Sequence, residues 1–206
     1  MATGGVLAVL AAVWTAMLVL GAGPVDRELL LALYAGDEPW LALAGIGLSY
    51  AGTWPTVVVV TLAGAAWLFY QRRPRAALLL LVASFSGRLL VILQKAYFAR
   101  LRPDESMRLV EVNYQSFPSG HSANTMIAFL AVALLAAPAD KRWWAAGGAI
   151  LLSVLIGIRR PMLGVHFPSD VVGGWAFGLF WVILLFALSS RLFARRPAWA
   201  LDDRSH

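Results

Sequence analysis

Long, mostly apolar runs recur along this sequence, and they limit the folds open to it more than any other feature. Of its 206 residues, 60% are hydrophobic and 14% are charged, whereas soluble domains average about half apolar and about a quarter charged. Six runs approach the roughly 20 residues that an α-helix needs to cross a bilayer: they cover residues 5–20, 53–70, 76–93, 122–137, 143–158 and 171–189. The sequence therefore predicts an all-α integral membrane protein, a six-transmembrane-helix bundle forming a single domain over residues 1–206.

The segment between the first two runs is less regular. Residues 40–48 are apolar but too short to span, so we interpret them as an interfacial or re-entrant helix. The first run has a rival interpretation as a cleavable signal peptide. Such a peptide needs a basic segment before its apolar core, and no Lys or Arg precedes Arg27. We therefore expect the first run to stay as a helix.

Charge and cysteine content exclude several classes of protein. The chain has no cysteine, which excludes disulfides, thiol nucleophiles and cysteine-ligated metals. Its net charge is +6, but basic residues commonly flank membrane helices, and most of those here lie near the ends of runs. We expect no nucleic-acid partner.

The basic turns also predict an orientation. With six spans, the turns at 72–75 and 141–142 and the C-terminal tail with Arg195 and Arg196 lie on one side, which the positive-inside rule assigns to the cytoplasm. Both termini are then cytoplasmic. The short loops and minimal bundle suggest a bacterial inner membrane, with the opposite end facing the periplasm.

Three polar clusters lie where apolar runs begin or end. Phosphoryl transfer needs cations for the oxyanion, a nucleophile and a proton donor for the leaving oxygen, and the clusters supply all three. Their members are Lys95 and Arg102; Pro118, Ser119, Gly120 and His121; and Arg160, His166 and Asp170.

The first two clusters fit an anion site. If one helix runs through Lys95 and Arg102, their spacing of seven places both on one face, toward a single anion. Snorkelling toward the membrane surface would explain such a pair in isolation. Ser119 suits a helix N-cap, and Gly120 lets backbone amides approach a ligand. His121 is then placed to protonate a leaving alkoxide.

His166 and Asp170 form the third cluster's central pair. A carboxylate bonded to one imidazole nitrogen leaves the other nitrogen free to attack. Pro168 between them predicts a turn into the last helix, which places Asp170 at the helix N-terminus, where negative charge is favourable. Two histidines and an aspartate are also potential metal ligands, but the surrounding cations repel a divalent ion. We expect no metal and no cofactor.

Arg88 lies near the middle of the third run, where a charge is costly unless it is paired or hydrated. It precedes Lys95 by seven residues and so falls on the same helix face. Two interpretations stay open. Arg88 binds a second phosphate of the substrate, or it is paired structurally with Ser residues or backbone carbonyls.

Together the clusters resemble the active-site pattern of the type 2 phosphatidic acid phosphatases, also called lipid phosphate phosphatases, which the vanadium haloperoxidases share. That pattern is Lys, six residues, Arg-Pro; then Pro-Ser-Gly-His; then Ser-Arg, five residues, His, three residues, Asp. It covers residues 95–174, and the flanking runs fit the family's six-helix layout. The chain departs from the pattern at Arg159, where the family usually has Ser.

The resemblance implies a role for each cluster. His166 attacks phosphorus to form a phosphohistidine, Asp170 orients His166, and His121 protonates the leaving oxygen. The residues that hold the substrate phosphate are Lys95, Arg102, Ser119, Gly120 and Arg160.

The expected function is that of a metal-independent membrane phosphatase whose active site lies at the non-cytoplasmic face. Its partners are the bilayer and a phosphorylated lipid, with undecaprenyl pyrophosphate, phosphatidylglycerophosphate, phosphatidate and diacylglycerol pyrophosphate all open. The alternatives are a lipid phosphotransferase with the same site and a non-enzymatic bundle that binds or transports lipid phosphates. Binding alone would need no nucleophile. The oligomeric state does not follow from the sequence.

Overall fold

The structure is a computed structural model that describes residues 2–36 and 38–192. Within this part the chain is helical and contains no strand, which confirms the all-α prediction. A 3₁₀ turn, Glu105–Met107, lies in the long loop over residues 99–119. The helices are α1 Ala2–Leu20, α2 Pro24–Leu33, α3 Pro39–Tyr50, α4 Trp54–Tyr70, α5 Pro74–Phe98, α6 Gly120–Ala136, α7 Arg142–Met162 and α8 Pro168–Leu192.

Four of the described helices are long and apolar enough to cross a membrane by themselves: α1, α5, α7 and α8. Helices α3 and α4 are long and apolar enough to cross only when they are taken together as one segment, bent by 41°, which would make a fifth span. Helix α6 coincides with the predicted fourth span, but at 17 residues it is shorter than the four candidate spans. The described residues thus hold four or five candidate spans, and a bundle of six stays a prediction.

Helix α3 leads into α4 through a short break. The break exposes the carbonyl of Tyr50, which accepts hydrogen bonds from Thr53 Oγ1 at 2.9 Å and Thr56 Oγ1 at 2.7 Å. Pro55 lies in the first turn of α4, where a missing N–H costs no helical hydrogen bond. Because the freed backbone groups are satisfied, the bend is a built part of the fold rather than a frayed end.

Helix α8 packs against α1, α5, α6 and α7. Its glycines allow α6 to approach closely: a Cβ at Gly174 would lie 2.8 Å from the Ser119 carbonyl oxygen, and one at Gly178 would lie 2.7 Å from Met126 Cβ. The Ser119 amide donates to the Asp170 carbonyl at 2.9 Å. The start of α6 and the start of α8 are therefore held together.

The prediction that one helix carries both Lys95 and Arg102 is wrong. Helix α5 ends at Phe98, because Ala99 adopts a left-handed conformation with φ 48° and caps the helix by donating to the Lys95 carbonyl. Arg102 therefore lies in the loop that follows. The two side chains are brought together by that loop and not by helical periodicity.

All three polar clusters lie at one end of the helices, where α5 and α7 end and α6 and α8 begin. The short turns that join α4 to α5 and α6 to α7 lie at the other end, and they include the basic residues at 72–73 and 141. Arg195 and Arg196, which the orientation prediction also used, lie outside the described residues. The separation of the clusters from the basic turns is thus observed, whereas the side of the membrane stays a prediction.

Candidate active site

A cavity of about 780 Å³ lies at the end of the bundle where the loops over residues 99–119 and 163–167 meet. It extends between the α3–α4 break and α5. Among its lining residues are six that the sequence predicted for the site: Lys95, Arg102, Gly120, His121, Arg160 and His166. Two further predicted residues, Ser119 and Asp170, are fully buried beside it. The structure therefore brings the three clusters together.

The hydrogen-bond partners of His166 define its tautomer. Its Nε2 lies 3.1 Å from Arg102 Nη1, and its Nδ1 lies 3.3 Å from Asp170 Oδ2. A guanidinium can only donate and a carboxylate can only accept, so Nδ1 carries the proton and Nε2 carries the lone pair. The residue can thus present Nε2 as a nucleophile once an incoming anion takes the Arg102 N–H group.

The same surroundings hold His166 in its neutral form. Burial lowers the pKa of His166 well below 6.5, and the positive charges of Arg102, Lys95 and Arg160 lower it further. At neutral pH the imidazole is therefore unprotonated at Nε2, which is the form that attacks an electrophile.

Asp170 is fully buried in the first turn of α8. Its carboxylate accepts hydrogen bonds from Arg100 Nη1 at 2.8 Å, from the Phe167 amide at 2.9 Å and from Ser116 Oγ. A buried carboxylate is tolerated only when it is paired and hydrogen-bonded in this way. The bonds also immobilise the carboxylate, and through it the ring of His166.

Arg100 is a site residue that the sequence interpretation missed. Besides Asp170 it donates to Ser169 Oγ at 3.0 Å, and its Nη2 donates to the carbonyls of Met17 at 2.9 Å and Leu18 at 2.5 Å. These carbonyls belong to the last turn of α1, where no intrahelical partner exists. One guanidinium thus ties α1 to the start of α8. The only sequence feature that could have indicated Arg100 is its position two residues before Arg102. Ser116, which donates to Asp170, was also missed, and no sequence feature pointed to it.

A second buried carboxylate extends this network to α2. Asp26 accepts hydrogen bonds from the Ser169 amide at 2.9 Å, from Ser169 Oγ at 2.5 Å and from the Ala22 amide at 2.7 Å. Asp26 lies in the first turn of α2. In the fold it caps the N-terminus of α8 and joins the α1–α2 turn to the residue next to Asp170.

The cations of the site contact loop carbonyls. Lys95 Nζ donates to Gln115 at 2.6 Å, and Arg102 donates to Val165 at 2.6 Å and Tyr114 at 2.8 Å. Burial lowers the pKa of Arg102 to about 10, partly offset by the nearby carboxylate of the site, so it stays charged at neutral pH. A phosphate oxygen reaching these groups would form stronger, charge-assisted bonds than a neutral carbonyl does.

Arg160 complements them from the end of α7. It is 4% exposed, and its Nε–H group has no hydrogen-bond partner among the described residues. A buried donor without a partner is costly. An anion in the cavity, which Arg160 lines, would relieve that cost.

The start of α6 supplies backbone donors. Ser119 is the N-cap, as predicted, but its hydroxyl contacts Ser122, with Oγ–Oγ 3.0 Å, and does not line the cavity. Gly120 lines the cavity instead, and a Cβ there would come no closer than 3.8 Å to Lys95 Cε. The free amides of this first turn and Lys95 are therefore close enough to bind one anion.

His121 follows on the same turn and packs against the α3–α4 break. A Cβ at Gly52 would lie 2.7 Å from His121 Cδ2 and 2.6 Å from Ile156 Cγ2. The missing side chain of Gly52 thus provides the space that the imidazole occupies. His121 and His166 line one cavity, so that a phosphoryl group between them can meet a nucleophile and a proton donor.

No group of three His, Asp or Glu side chains in residues 2–36 and 38–192 lies close enough to hold a metal ion. The set that is present consists of a buried imidazole bonded to a carboxylate, a second imidazole and several cations. Such a set can displace a group from phosphorus through a covalent intermediate.

The chain is similar in sequence to a known family and to known phosphatases. The sequence model of the PAP2 superfamily matches residues 76–194. The chain is 33% identical over 147 residues to phosphatidylglycerophosphatase B of Bacillus subtilis, covering 69% of this chain and 72% of the relative. It is 33% identical over 182 residues to lipid A 1-phosphatase of Rhizobium johnstonii, covering 82% and 71%.

A solved structure is similar as well. The crystal structure of a transmembrane PAP2 type phosphatidylglycerolphosphate phosphatase from Bacillus subtilis superposes with a TM-score of 0.80 at 28% identity, covering 92% of this chain and 98% of that one.

Proposed function

Because the chain belongs to the PAP2 superfamily, we propose that it is an integral membrane lipid phosphatase that works through a phosphohistidine intermediate. The observation that carries this proposal is the arrangement around His166. Asp170 holds Nδ1, and Nε2 faces the cations of the cavity. This is the geometry that an imidazole nucleophile requires.

The proposed reaction has two steps. Lys95, Arg102, Arg160 and the amide of Gly120 hold the phosphoryl oxygens, whereas the Ser119 amide is already bonded to the Asp170 carbonyl. His166 Nε2 then forms a bond to phosphorus while the bond to the lipid oxygen breaks, and a proton passes from His121 to that oxygen. In the second step water attacks phosphorus, its proton returns to His121, and the P–N bond breaks to release phosphate.

The shape of the cavity supports a lipid as substrate. Residues of both α3 and α5 line the cavity, and two of them, Tyr50 on α3 and Ile92 on α5, are 67% and 46% exposed. A lipid headgroup can therefore enter from the side while its apolar chain stays in the bilayer.

The remaining parts of the proposal concern substrate and placement. The relatives named above act on phosphatidylglycerophosphate and lipid A, and for this chain undecaprenyl pyrophosphate, phosphatidylglycerophosphate and phosphatidate types stay open. We place the protein in a bacterial inner membrane as one domain over residues 1–206. We further propose that its active site faces the periplasm and that both termini are cytoplasmic. Termini on the same side of the membrane require an even number of spans.

Trapping the intermediate tests the mechanism. Purified protein in detergent is mixed with a lipid labelled with ³²P in its terminal phosphate and quenched in alkali, in which phosphohistidine survives. We expect labelled protein, with the label on the peptide that contains His166, and release of phosphate that is insensitive to a chelator. His166→Ala should lose both label and release, whereas His206→Ala, which removes the only other histidine besides His121, should keep them.

Three results would contradict the proposal in different ways. Normal phosphate release by His166→Ala would remove the nucleophile from the mechanism. Transfer of the label to an acceptor other than water would indicate a phosphotransferase. Binding of the lipid without label or release would indicate the non-enzymatic bundle.

A further inference from the structure

Arg88 is a cation inside a candidate membrane span that the proposed mechanism does not use. It lies on α5 seven residues before Lys95, about two turns or roughly 10 Å deeper along the helix. It lines the same cavity as Lys95, His121 and His166. An arginine at such a depth is costly unless it has a partner or a function.

The surroundings of Arg88 hold it in place without satisfying it. Its guanidinium carbon lies 3.8 Å from the centroid of the Trp54 ring, and Phe85 supports that ring edge-on at 5.8 Å. Within residues 2–36 and 38–192 no carboxylate pairs with Arg88 and no acceptor is hydrogen-bonded to it. Stacking covers one face of the guanidinium and leaves its in-plane N–H donors available.

A second polar side chain lies on α6, nearer to the outer cations than Arg88 is. Asn124 is one helical turn, about 6 Å, deeper than Gly120. Its Nδ2 atom would lie 3.8 Å from a Cβ at Gly120. Asn124 lines the cavity, is 7% exposed, and has an Oδ1 atom without a hydrogen-bond partner. The cavity thus has an outer polar level with Lys95 and Gly120, to which the Asn124 side chain is close, and a deeper level with Arg88.

We propose that Arg88, held by Trp54, is a second anion subsite that binds another phosphoryl group of the same substrate. The inference rests on the proposed function, because it places the terminal phosphate at His166. The substrate class is then a lipid with two phosphoryl groups that are adjacent or separated by a short spacer. In a lipid diphosphate the group at Arg88 is the one that leaves with the lipid, and a cation there stabilises its developing charge.

The spacing of the two levels limits the spacer. Two long side chains whose Cα atoms are roughly 10 Å apart can converge on phosphoryl groups a few bonds apart. They cannot hold groups at the two ends of a large glycolipid headgroup. A lipid with a single phosphomonoester would use the outer level alone.

Soluble phosphonates test the subsite without turnover. The probes are methylphosphonate, methylenediphosphonate and 1,3-propanediyl diphosphonate, measured by thermal stabilisation of the purified protein and by competitive inhibition. We expect wild type to bind at least one bisphosphonate more tightly than methylphosphonate. Arg88→Gln should weaken that bisphosphonate about ten- to a hundredfold, the size of a lost charged hydrogen bond, and leave methylphosphonate unchanged.

Two further variants make the comparison specific. Arg88→Lys keeps the charge but loses the planar pair of guanidinium N–H donors. It should therefore restore part of the preference for the bisphosphonate over methylphosphonate. Arg75→Gln makes the same charge change on the same helix, about 20 Å away at its other end, and should leave all three probes unchanged. In turnover, Arg88→Gln should raise KM for a lipid diphosphate and not for a lipid monophosphate.

The outcomes separate this inference from the proposed function. Equal binding of all probes by wild type, or an equal effect of Arg88→Gln on all of them, would overturn the subsite and leave phosphatase activity standing. A lower Tm with unchanged binding would make Arg88 purely structural. A selective loss of bisphosphonate binding in a protein that releases no phosphate from any lipid would establish the subsite and overturn the function. Which bisphosphonate is lost shows whether the two phosphoryl groups are adjacent or spaced.

Discussion

At the scale of single residues, the chemistry depends on which nitrogen of His166 holds its proton. Arg102 on one side and Asp170 on the other leave one tautomer, and Arg100, Ser116 and the Phe167 amide keep the carboxylate from turning. In the proposed mechanism, this uncharged imidazole attacks a phosphorus atom that the surrounding cations bind.

This arrangement predicts the acid side of the pH profile. Burial and the neighbouring cations, Arg102 first among them, lower the pKa of His166, and protonation removes the attacking lone pair. As pH falls, kcat/KM should therefore decline only below 6.5. Arg102→Gln removes one positive charge and raises the pKa of His166, so its acid limb should lie at higher pH than that of wild type.

The comparison uses one substrate for both enzymes, so the ionisation of the substrate phosphate is common to them and cancels. Arg102→Gln will also lower the maximal rate, because it removes a group that binds the phosphate. The quantity compared is therefore the apparent pKa on the acid side of the kcat/KM profile. An unchanged or lower apparent pKa in this variant would show that Arg102 does not act on His166 electrostatically.

At the scale of secondary structure elements, the break between α3 and α4 positions the second imidazole. The bend is hydrogen-bonded through Thr53 and Thr56, and Gly52 at its centre leaves space for the ring of His121, because a Cβ there would lie 2.7 Å from His121 Cδ2. The segment that the sequence predicted as an interfacial or re-entrant helix thus forms part of the wall of the site.

Gly52→Ala tests this contact. The new Cβ would lie 2.7 Å from His121 Cδ2, which forces the ring to shift, so kcat for a lipid phosphate should fall about ten- to a hundredfold through impaired proton donation. An aryl phosphate with an acidic leaving group needs little protonation and should be affected much less.

Gly47→Ala is the matched control, because a Cβ at Gly47 on α3 meets no atom within 4 Å. It should behave as wild type with both substrates. If Gly52→Ala slowed the two substrates equally, the break would serve the stability of the site and not the placement of His121.

At the scale of the whole molecule, the chain separates its chemistry from its short basic turns. The polar clusters meet at one end of the helices, and the turns between α4 and α5 and between α6 and α7 lie at the other. With the positive-inside rule this separation predicts that the site faces away from the cytoplasm.

The absence of cysteine makes this orientation simple to test. Gln71→Cys lies in an exposed turn at one end, and Glu111→Cys lies in an exposed loop at the other, each as the only thiol of the chain. A membrane-impermeant maleimide added to intact spheroplasts should label Glu111→Cys only. After lysis it should label both variants. The reverse pattern would invert the orientation, and equal labelling in intact cells would contradict helices that cross the membrane between the two positions.

The sequence alone determined the features that depend on local chemistry. Apolar runs are enough to predict helices in a membrane, because a helix satisfies its own backbone within the run. The N-cap at Ser119 and the place of Asp170 in the first turn of α8 were predictable for the same reason, since capping involves neighbours only a few residues away. The types and spacing of the polar residues in the clusters were sufficient for the family resemblance.

Only the tertiary structure decided how the parts meet. Arg102 reaches the site through a loop and not along α5, and Arg100 and Asp26 bind atoms about 70 and 140 residues away in the chain. Such contacts follow from how closely α6 approaches α8 and from where α3 bends toward α4. The spacing of Gly174 and Gly178 in the sequence indicates a close helix approach, but it does not say which helix approaches. Local sequence preferences act only over a few turns of helix. An active site consists of side chains that are far apart in the sequence and that only tertiary packing brings together.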